Sequence, residues 1–160
     1  MNMSKIVKIA IAVAICLGVG YGSSLVTQSS ITTWYPTINK PSFNPPNEVF
    51  APVWTILYVM MGISAGLVWS KMEAVPVLVK KALWVFLIQL ILNSLWSFLF
   101  FGLQNPFLAL VEILLLWLMI FETIKLFKPI DALASKLMIP YLLWVSFAMI
   151  LNGSIWWLNR

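Results

Sequence analysis

Five apolar stretches alternate along the chain with short polar breaks, and each is long enough to cross a bilayer. Hydropathy and helix breakers place spans at about 6–26, 48–70, 82–101, 106–126 and 137–158. A helix needs roughly 20 residues to traverse about 30 Å of hydrocarbon, so five spans consume nearly all of the 160 residues. The expected fold is all-α: a single integral membrane domain, residues 1–160, of five transmembrane helices. Most connections are brief, as at Gly102–Asn105. The exception is the segment 27–47, which carries Pro36, Pro41, Pro45 and Pro46. Each proline fixes its own φ, which makes the segment stiff and shaped. A loop of this length in a small domain is often a lid over a site. The lid reading is taken here, a plain bridge between helix ends being the alternative.

Composition agrees with the pattern. Apolar residues make up 62% of the chain and charged residues 9%, against about a quarter charged in soluble domains. Such a chain could not cover a water-facing surface, and a bilayer removes that demand. The net charge of +5 is explained by topology. Lys5, Lys8, Lys71, Lys80, Lys81, Lys125, Lys128 and Lys136 fall on one side of a five-span layout, and only Lys40 and Arg160 on the other. Positive residues stay cytoplasmic, so the N-terminus is expected inside, and the C-terminus and loop 27–47 outside. Nucleic acid is not expected as a partner. The sequence has no His, and Cys16 is its lone thiol; this excludes Cys/His zinc sites, His-ligated haem, Ser-His-Asp triads and an intrachain disulfide. No metal or cofactor is expected. Lys5 and Lys8 followed by an apolar run and Gly22-Ser23-Ser24 have the outline of a signal peptide. The run continues through Leu25-Val26, long enough to span, so retention as a helix is expected. No mitochondrial-type presequence is evident, which points to a bacterial cytoplasmic membrane.

Four ordered motif blocks carry a resemblance. Trp34-Tyr35, Lys40-Pro41 and Pro45-Pro46 are followed by Trp54 and Leu57-Tyr58 in the second span. Asn93, Trp96 and Phe100-Phe101-Gly102 follow in the third, Ala109 to Glu112 in the fourth, and Pro140-Tyr141, Trp144, Phe147-Ala148 and Leu151-Asn152 in the fifth. Over roughly residues 30 to 157 the chain resembles the tryptophan-rich sensory protein and translocator protein (TspO/MBR) family. The resemblance implies a five-helix bundle, usually a homodimer, that binds porphyrins such as protoporphyrin IX in a pocket beneath the first loop. It also implies affinity for isoquinoline carboxamide drugs and, in mammalian members, for cholesterol. A light-dependent breakdown of protoporphyrin is attributed to some bacterial members; here Trp54 and Trp144 would be the reactive pair. Family dimers run through the third span, where this chain has Ala82, Leu87 and Ile91. The central Tyr of the mammalian sterol motif is absent after Leu151-Asn152, which weakens the expectation of sterol binding.

Spacing along the helices is compatible with such a pocket. At about 1.5 Å per residue, Trp54, Asn93, Trp96 and Glu112 lie roughly 8–12 Å below the loop-side ends of their spans. Trp54 with Tyr58, Asn93 with Trp96, and Trp144 with Ala148 each share a helix face. A flat apolar macrocycle needs aromatic walls, a few polar groups and small residues for clearance. Taken with the resemblance, the candidate ligand-binding residues are Tyr35, Pro45, Trp54, Tyr58, Asn93, Trp96, Phe100, Trp144, Phe147, Ala148 and Leu151; on the residues alone, Trp54, Trp96 and Trp144 serve equally well as packing. Plainer readings stand beside these. Tryptophans gather at membrane interfaces, and Trp34, Trp69, Trp156 and Trp157 are assigned to that belt, with Trp84 and Trp117 as belt or lipid-facing packing. Asn93 could be interhelical glue. Glu112, a carboxyl well inside a span, is read as structural before pocket-lining. The Gly18 and Gly22 pair is read as close packing within the bundle before dimerisation. Three functions are compatible with the residues: a binding protein or sensor, a light-dependent porphyrin-degrading enzyme, and a passive transporter. Coupled transport is disfavoured by the lack of an internal repeat and of several buried charges.

Overall fold

The computed structural model describes residues 3–160. It is helical throughout: α1 (Lys5–Ile31), α2 (Asn47–Ser70), α3 (Pro76–Ser97), α4 (Pro106–Phe127), α5 (Ala132–Leu137) and α6 (Ile139–Leu158). A 3₁₀ turn, Tyr35–Thr37, interrupts the first loop, and a π turn, Phe98–Gly102, ends α3. Five helical units, with α5 and α6 together forming the last, are long and apolar enough to cross a membrane.

The boundaries depart from hydropathy in three places, each for a local reason. First, α1 runs on to Ile31 because its polar residues satisfy themselves. Ser24 Oγ donates to Tyr21 O (2.7 Å), Thr27 Oγ1 to Ser23 O (3.2 Å) and Ser29 Oγ to Val26 O (2.8 Å). Hydroxyls bonded back to the preceding turn need no water, so the helix continues past the apolar run. The connecting loop shortens to residues 32–46. Second, α3 begins at Pro76, whose fixed φ suits a first helical position, and Lys80 and Lys81 fall inside its opening turns. Third, the last span starts early and breaks at Met138. Pro140 has no N–H for the carbonyl four residues back, while the Asp131 side chain caps α5 by accepting from Ala134 N (2.9 Å).

At the end remote from loop 32–46 the bundle is close-packed. A Cβ added to Gly62 would lie 2.4 Å from Val13 Cα, and one on Gly66 would lie 2.4 Å from Ile9 Cα. Here α1 and α2 touch backbone to backbone, as small residues permit between membrane helices. Met61, Val68, Val79, Ile120 and Phe127 are fully buried alongside, and Phe86 stacks on Phe127 with ring centroids 5.9 Å apart. α4 lies between α3 and α6, and α2 packs on α1, α3 and α5.

Several expectations are corrected. Gly18 and Gly22 meet nothing within 4 Å, whereas Gly20 faces the Tyr58 ring. Two residues along a helix is about 200° of rotation, so the bundle contact falls to the middle glycine. Ala82 is fully buried within the chain, while Leu87 and Ile91 are exposed; the three do not form one surface. Trp34 belongs to more than an interfacial belt: it packs edge-on against Phe100 (5.6 Å). Trp117 donates its indole N–H to Ser146 Oγ (2.8 Å). Trp84 and Trp157 are mostly exposed, as a belt or lipid-facing position requires.

Candidate ligand cavity

In the loop-side half the same helices enclose a cavity of about 540 Å³, within the roughly 300–1,000 Å³ range of small-molecule sites. Its deep end is a hydrogen-bonded chain across three helices. The Tyr58 hydroxyl donates to Asn93 Oδ1, and Asn93 Nδ2 donates to the Tyr141 hydroxyl (2.9 Å). Asn93, nearly fully buried, is thus satisfied on both sides of its amide, as a polar group in a span must be.

The walls are aromatic rings packed on one another, some edge to face and some stacked. Trp54 stands perpendicular to Trp144, centroids 6.5 Å apart and planes at 90°, and lies 5.8 Å from Tyr58. Trp96 stacks on Phe100 (5.1 Å, 22°). Its indole N–H donates to Asn152 Oδ1 (3.0 Å), and Asn152 Nδ2 donates to Pro106 O (2.7 Å), so one amide braces α3, α4 and α6. Trp144 Nε1 is buried and has no hydrogen-bond partner.

Loop 32–46 closes the top. Tyr35 is 3% exposed, its hydroxyl donating to Asn44 Oδ1 (2.7 Å) and its ring tilted against Phe101 (5.7 Å). Burial pushes the Tyr35 phenol up to about 12, with the Asn44 contact acting in the opposite direction. Lys40 Nζ donates to the carbonyls of Tyr35 (2.7 Å) and Ile38 (2.9 Å). Asn39 and Asn159 exchange two bonds of 2.9 Å, which tie the loop to the end of α6.

The structure therefore brings Tyr35, Trp54, Tyr58, Asn93, Trp96, Phe100, Trp144, Phe147, Ala148 and Leu151 to one cavity, and leaves Pro45 outside its lining. Pro45 instead offers its carbonyl to Asn44 Nδ2 (3.2 Å), shaping the loop from a distance. Glu112 is also outside the lining; it is buried on α4 with both carboxyl oxygens unpartnered. Sequence reasoning expected the ligand between spans 1, 2, 3 and 5 but named no residue of α1. Leu17, Gly20, Tyr21, Ser24, Thr27 and Gln28 all line the cavity. Their spacing of three or four residues marks one helix face, and the small and polar residues interrupting an otherwise apolar span were the available signal. Phe50 and Ala51, one turn before Trp54, and Thr55, next to it, were missed as well.

The fold defines a polytopic helical membrane protein with a largely apolar internal cavity. The TspO/MBR family model matches residues 12–158. The chain is 43% identical over 159 residues to the tryptophan-rich protein TspO of Chlorobaculum tepidum, covering 97% of this chain and 98% of that protein. It is 36% identical over 126 residues to the tryptophan-rich sensory protein of Cereibacter sphaeroides, covering 79% and 77%. With the human translocator protein it shares 35% over 140 residues, 88% of this chain and 82% of that one. The chain belongs to the TspO/MBR family.

Proposed function

We propose that the cavity binds a flat, largely apolar macrocycle of the tetrapyrrole class, protoporphyrin IX, and related hydrophobic ligands such as isoquinoline carboxamides, and that the protein acts as a membrane-embedded sensor. The observation that carries this is the set of rings along one 540 Å³ cavity: Trp54 and Trp144, in edge-to-face contact, line it together with Trp96 and Phe100. Indole faces supply the apolar contact a macrocycle seeks, and Ala148 supplies clearance. The relative named a sensory protein is in keeping with the sensor role. The lysine distribution supports an orientation with loop 32–46 outside, in a membrane we read as a bacterial cytoplasmic one. A homodimer, with Leu87 and Ile91 available on the exposed face of α3, completes the reading.

The test is a titration in darkness of the detergent-solubilised protein with protoporphyrin IX, read by tryptophan fluorescence. Saturable quenching that weakens at least tenfold in the Trp54→Leu, Trp144→Leu double variant is expected. Non-saturable quenching, unchanged by the substitutions, would remove the reading.

A second reading is light-dependent degradation of the bound ring, favoured by the closeness of two indoles to the same space. Dioxygen would be the oxidant of the light-excited ring, and Trp54 and Trp144 the indoles placed to exchange an electron with it. Under this reading Trp54→Phe and Trp144→Phe keep most dark binding and abolish the loss of the porphyrin band under illumination. Passive release of ligand to another acceptor uses the same cavity and is tested by transfer between vesicles.

A further inference from the structure

We infer that ligand enters this cavity sideways from the bilayer, through a slot between the loop-side halves of α1 and α2, and not past the proline loop. The ligand class follows: membrane-dissolved amphiphiles whose uncharged body enters and whose ionised end stays at headgroup level. This rests on the proposed tetrapyrrole reading only for its probe.

Exposure of the lining residues locates the slot. Every cavity-lining residue of α3, the π turn and α6 is buried or half-buried. The exposed ones are confined to two helices: Leu17, Tyr21 and Gln28 on α1, and Asn47, Ala51 and Thr55 on α2. These two helices are sealed at their other half by the Gly62 and Gly66 backbone contacts. The Tyr58 ring is wedged against Gly20 where the seal ends. From Leu17 to Gln28 is about 16 Å along the axis, roughly half of a 30 Å hydrocarbon layer. The opening therefore faces acyl chains over most of its length and headgroups only at the Gln28 and Asn47 end.

The rim suits a lipid neighbour. Ser24, Thr27 and Thr55 each bond back to a carbonyl of their own helix, so these three hydroxyls of the slot need no water. The aqueous side is the better closed one. The Asn39 and Asn159 pair, the Lys40 bonds and the Tyr35 bond to Asn44 hold the loop down, and Ser30 Oγ ties its root to Phe101 O (2.6 Å).

Charge sets the class. Among the described residues, those lining the cavity include no Lys, Arg, Asp or Glu. A carboxylate taken into such a site would lose its water without gaining a counter-ion, which is costly. The carboxylates of a porphyrin would therefore remain at the Gln28 and Asn47 end of the slot.

The test uses the full chain, with Cys16→Ala, in phospholipid vesicles. One variant, Asn39→Cys with Asn159→Cys, latches the loop by a disulfide. Another, Tyr21→Cys with Thr55→Cys, is bridged across the slot by a cleavable bis-thiosulfonate. Protoporphyrin IX association is followed in darkness by stopped-flow quenching. The slot bridge is expected to slow association at least tenfold, with recovery on reduction, and the loop latch to change it less than twofold. A latch that slows association tenfold beside an ineffective bridge, or no effect of either, overturns the inference. Protoporphyrin dimethyl ester is expected to bind within about threefold of the free acid; a loss above tenfold overturns the assignment of class. Should the unlocked protein give no saturable quenching, the tetrapyrrole reading fails by itself, and access is read from Ala148→Cys. Faster labelling by pyrene maleimide dissolved in the vesicles than by a sulfonated aqueous maleimide sustains lateral entry, and the reverse order overturns it.

Discussion

Between Gly66 and Ile9 the first two spans touch backbone to backbone, while about three helical turns further along Tyr21 and Thr55 flank an open cavity. The same pair of helices is sealed at one end and hollow at the other. The difference lies in side-chain chemistry. The sealed half uses glycine and aliphatic residues, which interdigitate and leave no space. The hollow half uses rigid rings braced at steep angles: Trp54 against Trp144 at 90°, and Trp96 fixed by Asn152. Rings braced on one another, and in Trp96 by the Asn152 amide, resist collapse into the adjoining space, so the aromatic residues both line the cavity and keep it open.

Substitutions should therefore divide by half. In the sealed half, Phe127→Ala removes a fully buried ring stacked on Phe86 and is expected to cost about 3–5 kcal/mol, seen as a large drop in thermal midpoint. Gly66→Val drives a side chain into Ile9 and is expected to cost about 3 kcal/mol, measured in the same way; an unchanged midpoint would break the claim that backbone contact seals this end. Asn93→Leu, at the boundary, leaves the Tyr58 and Tyr141 hydroxyls without their partner and is expected to cost about 1–3 kcal/mol together with ligand affinity. In the hollow half, Trp144→Leu is expected to lower the midpoint least, by about 1 kcal/mol or less, while weakening porphyrin binding at least tenfold.

The loop offers a sharper contrast through pH. Burial raises the Tyr35 phenol to about 12, above the roughly 10 of an exposed tyrosine. The docked loop thus favours the neutral phenol. Docking should be independent of pH below about 10 and weaken as pH rises from about 10 through 12. Tyr35→Phe should abolish that alkaline limb, measured as amide exchange over residues 32–46. Loosening already at neutral pH would contradict the burial assigned to Tyr35.

The spans were legible because apolar runs and lysine breaks are read by length alone, and the cavity residues of α2, α3 and α6 because large rings stand out in a span. Three features were hidden. The extension of α1 to Ile31 depends on hydroxyls turning back to their own helix, which hydropathy scores as polar. The α1 wall is made of Gly20, Ser24, Thr27 and Gln28, residues that carry little signal one at a time. Pro45 looked like a lid contact by its place in the loop, yet its position outside the lining is set by tertiary folding of the loop. The Gly18 and Gly22 pair misled because spacing gives a shared face without saying what lies opposite.

The central claim is that the hollow half is a ligand site that the sealed half supports. It is tested most directly by the ligand-induced thermal shift of the wild type and of a cavity-filled variant, Ala148→Phe. Protoporphyrin IX in darkness at about 100 times its dissociation constant should stabilise the wild type by about 2.7 kcal/mol. The variant should keep a near-native midpoint without ligand and show no shift with it. An equal shift in both proteins would place the ligand elsewhere and contradict the account.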